Sequence, residues 1–175
     1  MRIRRRRGLA LALFTALALA SPAGAESSGR TPLLDQIRTY RGLTWHWQRL
    51  MGRPLTEAGY REREVESRPY RAWLRDVWKM RAKRASRRAH RPPHLSTWRC
   101  LHRYEGAWSD PDAPYWGGLQ MDFAFQRTYG RRLLRTKGTA NHWTPLEQMW
   151  TAERALRAGR GFYPWPVSAH RCGLL

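Results

Sequence analysis

Residues 144–159 read TPLEQMWTAERALRAG, and this stretch predicts the most clearly delimited helix of the chain. Thr144 can cap the helix while Glu147 bonds back to it, which is the capping-box pattern, and Pro145 suits the first helical position. Gly159 predicts the end of the helix. Its apolar side chains recur at helical spacing and predict one buried face: Leu146, Met149, Trp150 and Leu156. The fold class predicted from this helix and its neighbours is mainly α.

The sequence before this helix predicts a short β or loop segment between two further helices. Asp122 can cap the helix that follows it. Residues 115–121, YWGGLQM, place two adjacent glycines between aromatic residues, so the backbone there can approach a flat or extended partner closely. Residues 98–104 predict another helix, which delivers Glu105 into a glycine-containing turn.

Residues 26–95 predict a basic helical hairpin followed by a linker. Pro32 begins a first helix that ends before Gly52, with one apolar stripe: Leu33, Ile37, Tyr40, Thr44, Trp47 and Met51. Pro69 begins a second helix, in which Tyr70, Trp73, Val77 and Met80 share a face, with Leu74 and Trp78 beside it. A coiled coil is the alternative, but two short runs without interhelical charge pairs favour packing within one molecule.

The first 25 residues have the pattern of a secretory signal peptide. Five arginines within residues 1–7 precede an uncharged apolar run over residues 8–20, and small residues lead to Ala25, where cleavage is expected. A membrane anchor is the alternative, but this run falls short of the roughly 20 residues that span a bilayer. We therefore expect a secreted or cell wall-associated protein without a stable transmembrane segment.

Basic residues dominate the composition. The chain has 33 Lys and Arg against 13 Asp and Glu, a net charge of +20, and 10 Trp, which excludes an acidic disordered protein. Removal of residues 1–25 lowers the net charge to +15, of which +10 belongs to residues 26–95 and +5 to residues 96–175. The basic character is mostly a property of the first half.

The densest basic run is RAKRASRRAHR at residues 81–91. Clustered arginines bind polyanions because the contact releases counterions. For a secreted chain the expected partners are anionic wall polymers or membrane surfaces rather than nucleic acid. The alternative is a solvated, arginine-rich helix end and linker.

Cys100 and Cys172 are the only cysteines in the chain. In the oxidising environment that follows export, two cysteines are expected to form a disulfide. Two isolated buried thiols are the alternative.

Five sequence elements in order resemble the catalytic core of resuscitation-promoting factors, which are small lysozyme-like, transglycosylase-like domains of actinobacteria. The elements are Glu105 before a glycine and a tryptophan, the aromatic-aromatic-GGLQ run, Glu147-Gln148, Ala152-Glu153, and Trp165-Pro166. The resemblance covers residues 97–172 and leaves the hairpin outside. It implies a lysozyme-like catalytic domain at residues 96–175 that acts on peptidoglycan.

This chain departs from the family pattern at both cysteines. The family has one cysteine immediately before the catalytic glutamate and another directly after Trp-Pro-Val, where this chain has Tyr104 and Ser168. Its own cysteines stand four residues earlier and four residues later, and four residues are about one helical turn. The resemblance therefore implies a relocated bridge between Cys100 and Cys172. The segment between Glu105 and the glycine pair is also shorter than in the family.

Glu105 is the candidate catalytic residue. Cleavage of a glycosidic bond needs an acid that protonates the leaving oxygen, and apolar surroundings favour the protonated form of a glutamate. Trp108, Tyr115 and Trp116 are the residues expected to form that aromatic wall. The alternative is a glutamate that caps a helix or pairs with an arginine, as most carboxylates do.

The resemblance also implies the substrate and two possible routes. The expected activity is cleavage of the MurNAc–GlcNAc β-1,4 bond in peptidoglycan glycan strands, with Glu105 as general acid and base. A second carboxylate is a candidate nucleophile or base, Asp122 foremost, and loop residues Asp110 and Asp112 are further candidates. A single glutamate suffices for the lytic transglycosylase route, in which the 6-hydroxyl of muramic acid attacks. The sequence does not choose between this route and hydrolysis.

Sugar binding is assigned to exposed aromatic and amide side chains. Trp108, Tyr115, Trp116 and Trp165 are candidate walls because ring faces stack on pyranoses, and Gln120 is a candidate hydrogen-bonding partner. Trp98, Trp143 and Trp150 are expected in the core instead. The six histidines show no ligand spacing, so neither metal nor cofactor is expected. The alternative function is a non-catalytic peptidoglycan-binding wall protein with a basic tether.

Overall fold

The computed structural model describes residues 32–59, 62 and 67–175, and these residues are mainly helical, as predicted. The expected signal peptide lies outside the described residues. The helices are α1 (Pro32–Leu50), α2 (Arg68–Ala89), α3 (Leu95–Glu105), α4 (Phe123–Tyr129), α5 (Arg131–Lys137), α6 (Pro145–Ala155) and α7 (Pro166–Arg171). A short 3-10 turn at Ala140–His142 precedes α6, and a wider π turn at Leu156–Arg160 follows it. No helix among the described residues is both long enough and apolar enough to span a bilayer.

Two short strands flank the glycine pair. Strands β1 (Tyr115–Trp116) and β2 (Met121–Asp122) are antiparallel, with Tyr115 opposite Asp122 and Trp116 opposite Met121. The Asp122 carboxylate caps α4 by accepting a hydrogen bond from the Phe125 amide, 2.6 Å away. The predicted cap and the predicted short β segment are therefore both present.

Helix α6 is the centre of the larger core. The predicted capping box forms, because the Thr144 hydroxyl accepts from the Glu147 amide and the Glu147 carboxylate accepts from the Thr144 amide. Burial extends around most of the helix rather than along one face. The largest cluster packs against it: Trp98, Leu101, Leu119, Met121, Phe125, Trp143 and Trp165 among others. Trp98, Trp143 and Trp150 are buried, as predicted.

The disulfide between Cys100 and Cys172 is present, as predicted. The two Cα atoms are 6.1 Å apart, and the bridge joins α3 to the residue that follows α7. The bond therefore links the first helix of the larger core covalently to the end of its last helix.

The first two helices run side by side in the same direction, not as the expected hairpin. Ile37, near the start of α1, packs with Leu74 and Trp78 in the first half of α2. Met51, just after α1, packs with Ala85 and Ala89 at the end of α2. The intervening segment returns along α1: the Trp45 indole and the Gln48 amide donate to Thr56, and Ala58 packs in the Ile37 cluster. An antiparallel hairpin needs only a short loop, whereas this long connection permits a parallel pair.

The stripe predicted for α1 is correct, but the one predicted for α2 is wrong. Trp73 and Met80 are 57% and 60% exposed, and the buried positions of α2 are Leu74, Trp78, Ala82, Ala85 and Ala89. The two candidate stripes lie side by side on one helix. Alanine at positions 82, 85 and 89 allows the neighbouring elements to approach closely, which places this side of α2 inward.

Side chains of α6 and the following turn join the helix pair to the rest of the described chain. The Trp150 indole donates to the Ala89 carbonyl over 2.7 Å, and the Arg154 guanidinium donates to the Leu50 and Tyr129 carbonyls. Burial, together with the neighbouring charge of Arg157, lowers the pKa of Arg154 to about 10. Arg154 thereby satisfies a carbonyl at the C-terminal end of α1, where cations are favoured. The predicted domain division at residue 95 stays a prediction.

Candidate active site

Glu105 is the last residue of α3 and lies half-buried beside α7. The Ser168 hydroxyl of α7 donates a hydrogen bond to Oε1 of the Glu105 carboxylate. Ser168 is only 1% exposed, so its hydroxyl is fixed within the protein. The Cys100–Cys172 disulfide joins the same two elements and restrains the helix ends that carry this pair.

Gly106 allows the chain to turn sharply after Glu105. Its φ of +152° with an extended ψ is a conformation that favours glycine. A Cβ atom at this position would lie 2.9 Å from Asp110 Oδ2 and 3.2 Å from Gln120 Nε2. The glutamate is therefore followed directly by backbone that packs against Asp110 and Gln120.

Asp110 and Gln120 hold the two ends of the loop after Glu105 together. The Gln120 amide nitrogen donates to Asp110 Oδ2 over 2.8 Å and to the Gly117 carbonyl over 3.0 Å. The Gly117 amide donates to the Asp110 carbonyl over 2.8 Å. Gln120 has a φ of +43°, and it is the one non-glycine residue with positive φ in the described ranges. Such backbone strain persists where surrounding contacts impose it, and it is concentrated at functional sites.

Four of the predicted substrate and carboxylate residues line one open cavity of about 360 Å³: Tyr115, Gln120, Asp122 and Trp165. Arg160 and Pro164 also line it. Tyr115 is 50% exposed, and its ring is available to a ligand. The volume lies in the range of small-ligand sites. Glu105 is not part of the lining, but the backbone that follows it touches the Gln120 wall.

Trp165 belongs mostly to the core. It is 2% exposed, its indole donates to the Leu119 carbonyl over 2.7 Å, and its ring packs edge-on against Trp98 and Phe125. Only the small exposed part of Trp165 can line the cavity. Trp165 is also the residue before α7, and Ser168 in the first turn of that helix contacts Glu105.

Trp108 and Trp116 are half-buried. The Trp108 ring stacks on the His102 imidazole with centroids 4.0 Å apart, and Trp116 packs on the large core. The sequence favours a surface position for His102, but the residue is half-buried, with Nδ1 3.1 Å from the Gly118 carbonyl. The stacked pair lies against Gly118, because a Cβ atom added there would be within 2.9 Å of both rings.

The two glycines approach the protein's own side chains. A Cβ at Gly118 would lie 2.6 Å from His102 Nδ1, and one at Gly117 would lie 2.6 Å from Gln148 Oε1. Any larger residue at either position would have to displace these groups. The glycine pair is thus explained by internal packing, and no ligand is needed to account for it.

Ser168 and Gln148 make contacts that the sequence analysis did not predict. Gln148 is fully buried, and its amide nitrogen donates to the carbonyls of Trp108, Ala140 and Trp143. It therefore ties the loop after Glu105 to α6. The sequence analysis named Ser168 only as a departure from the family pattern and Gln148 only as part of the Glu147-Gln148 element. Neither observation predicts which groups these side chains contact.

Two of the three predicted second carboxylates, Asp110 and Asp122, are engaged by neighbouring groups, and Asp112 is exposed. Asp122 caps α4, and Asp110 accepts from Gln120 and from the Asp112 amide. Among the described residues, no group of three or more His, Cys, Asp or Glu side chains is placed to hold a metal ion. No family model, curated protein or solved structure matches this chain.

Proposed function

We propose that the chain is a secreted, cell wall-associated peptidoglycan glycosidase that cleaves the MurNAc–GlcNAc β-1,4 bond. Glu105 is the general acid and base, and residues 96–175 form a lysozyme-like catalytic domain. The observation that carries this proposal is the Glu105 carboxylate at a helix end, held through one oxygen by the buried Ser168 hydroxyl. The loop that follows forms part of a cavity large enough for a small ligand.

The hydrogen bond to Ser168 divides the two carboxylate oxygens between two tasks. Oε1 accepts from the hydroxyl, which fixes the orientation of the group, and Oε2 remains to carry the proton. Proton donation to the glycosidic oxygen from Oε2 breaks the bond to C1 and leaves the carboxylate as a base. A carboxyl group held in one orientation loses less conformational freedom on reaching the transition state.

The engaged state of Asp110 and Asp122 supports the route that needs one carboxylate. In that route the carboxylate takes the proton of the muramic acid 6-hydroxyl, whose oxygen bonds to C1 and forms the anhydro ring. No water is consumed, and Glu105 recovers its proton. In the hydrolytic route, water replaces the 6-hydroxyl and a second group is normally needed to activate it.

Digestion of purified peptidoglycan tests the proposal. We expect the wild-type protein to release muropeptides with anhydro ends, detected by mass spectrometry, and Glu105→Gln to release none above background. Glu57→Gln is the matched control, because Glu57 is an exposed loop residue and this substitution removes the same charge. Equal digestion by wild type and Glu105→Gln would eliminate Glu105 as the catalyst. Binding to peptidoglycan without any release would support the alternative of a non-catalytic wall-binding protein.

A further inference from the structure

Five arginines converge on one open cavity at the C-terminal ends of α1 and α2. The cavity has a volume of about 630 Å³, and its basic lining is Arg53, Arg84, Arg87, Arg88 and Arg91. Met51, Pro93 and Trp150 form the remaining walls. We call this feature the arginine cavity.

The parallel arrangement of the first two helices creates the arginine cavity. Ala82, Ala85 and Ala89 place one side of α2 inward, so the arginines between them face outward. Arg53 follows α1 directly, and it reaches the same place because both helices end at the same side of the molecule. In an antiparallel hairpin, Arg53 would lie beside the start of α2 instead.

Among the residues that the structure describes, no acidic side chain lines the arginine cavity. Several described carboxylates are paired elsewhere: Asp76 with Arg75, Glu62 with Arg81, Glu147 with Lys137 and Glu153 with His94. The dipoles of α1 and α2 favour cations near their C-terminal ends, which accounts for Arg53, Arg87 and Arg88 but not for Arg84. Like charges three or four residues apart destabilise a helix. A bound anion would relieve that repulsion.

A second cavity continues the first one along the helix pair. It has a volume of about 270 Å³ and shares Met51, Arg53, Arg84 and Arg88 with the arginine cavity. Thr44 and Gln48 add uncharged polar groups to it. Together the two cavities follow the chain from Arg81 to Arg91, which suits a chain of anions better than a single ion.

We propose that the arginine cavity binds a linear polymer that carries phosphate groups. The planar guanidinium pairs with phosphate through two parallel hydrogen bonds, which favours arginine at such sites. Trp150 is 4% exposed, so it offers no stacking surface of the kind that single-stranded nucleic acids use. A phosphate polymer without bases is the partner that fits. This proposal does not depend on Glu105 or on glycan cleavage.

A charge-matched pair of variants tests the proposal with short-chain inorganic polyphosphate as the probe. The site variant is Arg53→Gln, Arg84→Gln and Arg88→Gln, which removes the three arginines that both cavities share. The control variant is Arg127→Gln, Arg132→Gln and Arg135→Gln, which removes the same charge from exposed positions on α4 and α5. Circular dichroism and thermal unfolding establish that both variants are folded.

Binding is measured by calorimetry over a series of salt concentrations. We expect the site variant to bind at least about tenfold more weakly than wild type. The slope of log binding constant against log salt concentration should also fall by about 2, since each lost phosphate contact removes about 0.7 to 0.9 from that slope. The control variant is expected to stay close to wild type.

Three results would overturn the proposal. An equal loss in both triple variants would mean that only net charge matters. Tighter binding to phosphatidylglycerol vesicles than to polyphosphate would assign the cavity to a membrane surface. Tighter binding to a single-stranded oligonucleotide would assign it to nucleic acid.

Discussion

The hydroxyl of Ser168 on α7 donates a hydrogen bond to the carboxylate of Glu105 at the end of α3, and the Cys100–Cys172 disulfide links the same two elements. The bridge joins α3 to the residue that follows α7, so the covalent link and the hydrogen bond together restrain these two elements.

Replacement of Ser168 by alanine is expected to lower kcat for the proposed peptidoglycan cleavage while KM changes little. The lost hydrogen bond to a charged group is worth about 1.5 to 3 kcal/mol, which corresponds to at least about a tenfold slower reaction. Initial rates of muropeptide release provide the measurement. Ser96→Ala, an exposed serine on α3, is the control. Unchanged kcat in a Ser168→Ala protein of lowered Tm would assign the hydroxyl to stability alone.

Removal of the disulfide is expected to lower the free energy of unfolding by up to about 4 kcal/mol in the chain-entropy model, because 72 residues separate its cysteines. Urea unfolding of wild type and of the Cys100→Ser, Cys172→Ser variant measures this difference. Dithiothreitol should shift the wild-type midpoint toward that of the variant and leave the variant unaffected. Identical midpoints for the two proteins under oxidising conditions would contradict the expectation.

Glu153 is expected to be a stability residue of the larger core. Its carboxylate is 1% exposed and accepts from the Trp98 indole over 2.8 Å and from the His94 amide over 2.9 Å. Glu153→Ala leaves both donors unpaired and creates a cavity, at a cost of about 3 kcal/mol in urea unfolding. Glu153→Gln keeps one acceptor oxygen and should lose clearly less. Equal losses would show that the acceptor is unimportant.

The ion pair of Lys137 and Glu147 is expected to make the free energy of unfolding depend on pH. Burial of Glu147 disfavours its charged form, but hydrogen bonds from Lys137 and Thr144 outweigh that effect and lower its pKa. A carboxylate with a lowered folded-state pKa stabilises the protein above its unfolded-state pKa, and this contribution is lost as pH falls through the folded-state pKa. Lys137→Met should therefore be less stable near neutral pH by about 1 kcal/mol.

In acid, the wild type and Lys137→Met should unfold at nearly the same urea concentration. Lys83→Met, at an exposed position on α2, is the control for loss of one positive charge. A difference between wild type and Lys137→Met that persists unchanged into acid would show that the lysine acts through packing rather than through its charge.

Features that depend on residues within one or two helical turns of each other could be predicted from the sequence. The capping box at Thr144, the Asp122 cap and the stripe of α1 involve residues that are close in sequence, so local geometry determines their partners. The disulfide could also be predicted from the sequence, since the chain contains only two cysteines. Mainly helical structure follows from the same local signals.

The contact between Ser168 and Glu105 could not be read in this way. The two residues are 63 positions apart, and their meeting depends on how α3 and α7 pack around Trp98 and Trp165. The buried amide of Gln148 depends likewise on carbonyl groups that only the folded chain assembles.

The sequence by itself determined the N-terminal caps of α4 and α6, which face of α1 is apolar, and which cysteines pair. Only the tertiary structure decided the direction of α2 beside α1, the inward side of α2, and the convergence of Arg53 with the arginines of α2. The physical reason is that hydrogen bonds within a turn and helical periodicity are set by neighbouring residues. The choice between two adjacent apolar stripes is set by close packing against distant parts of the chain.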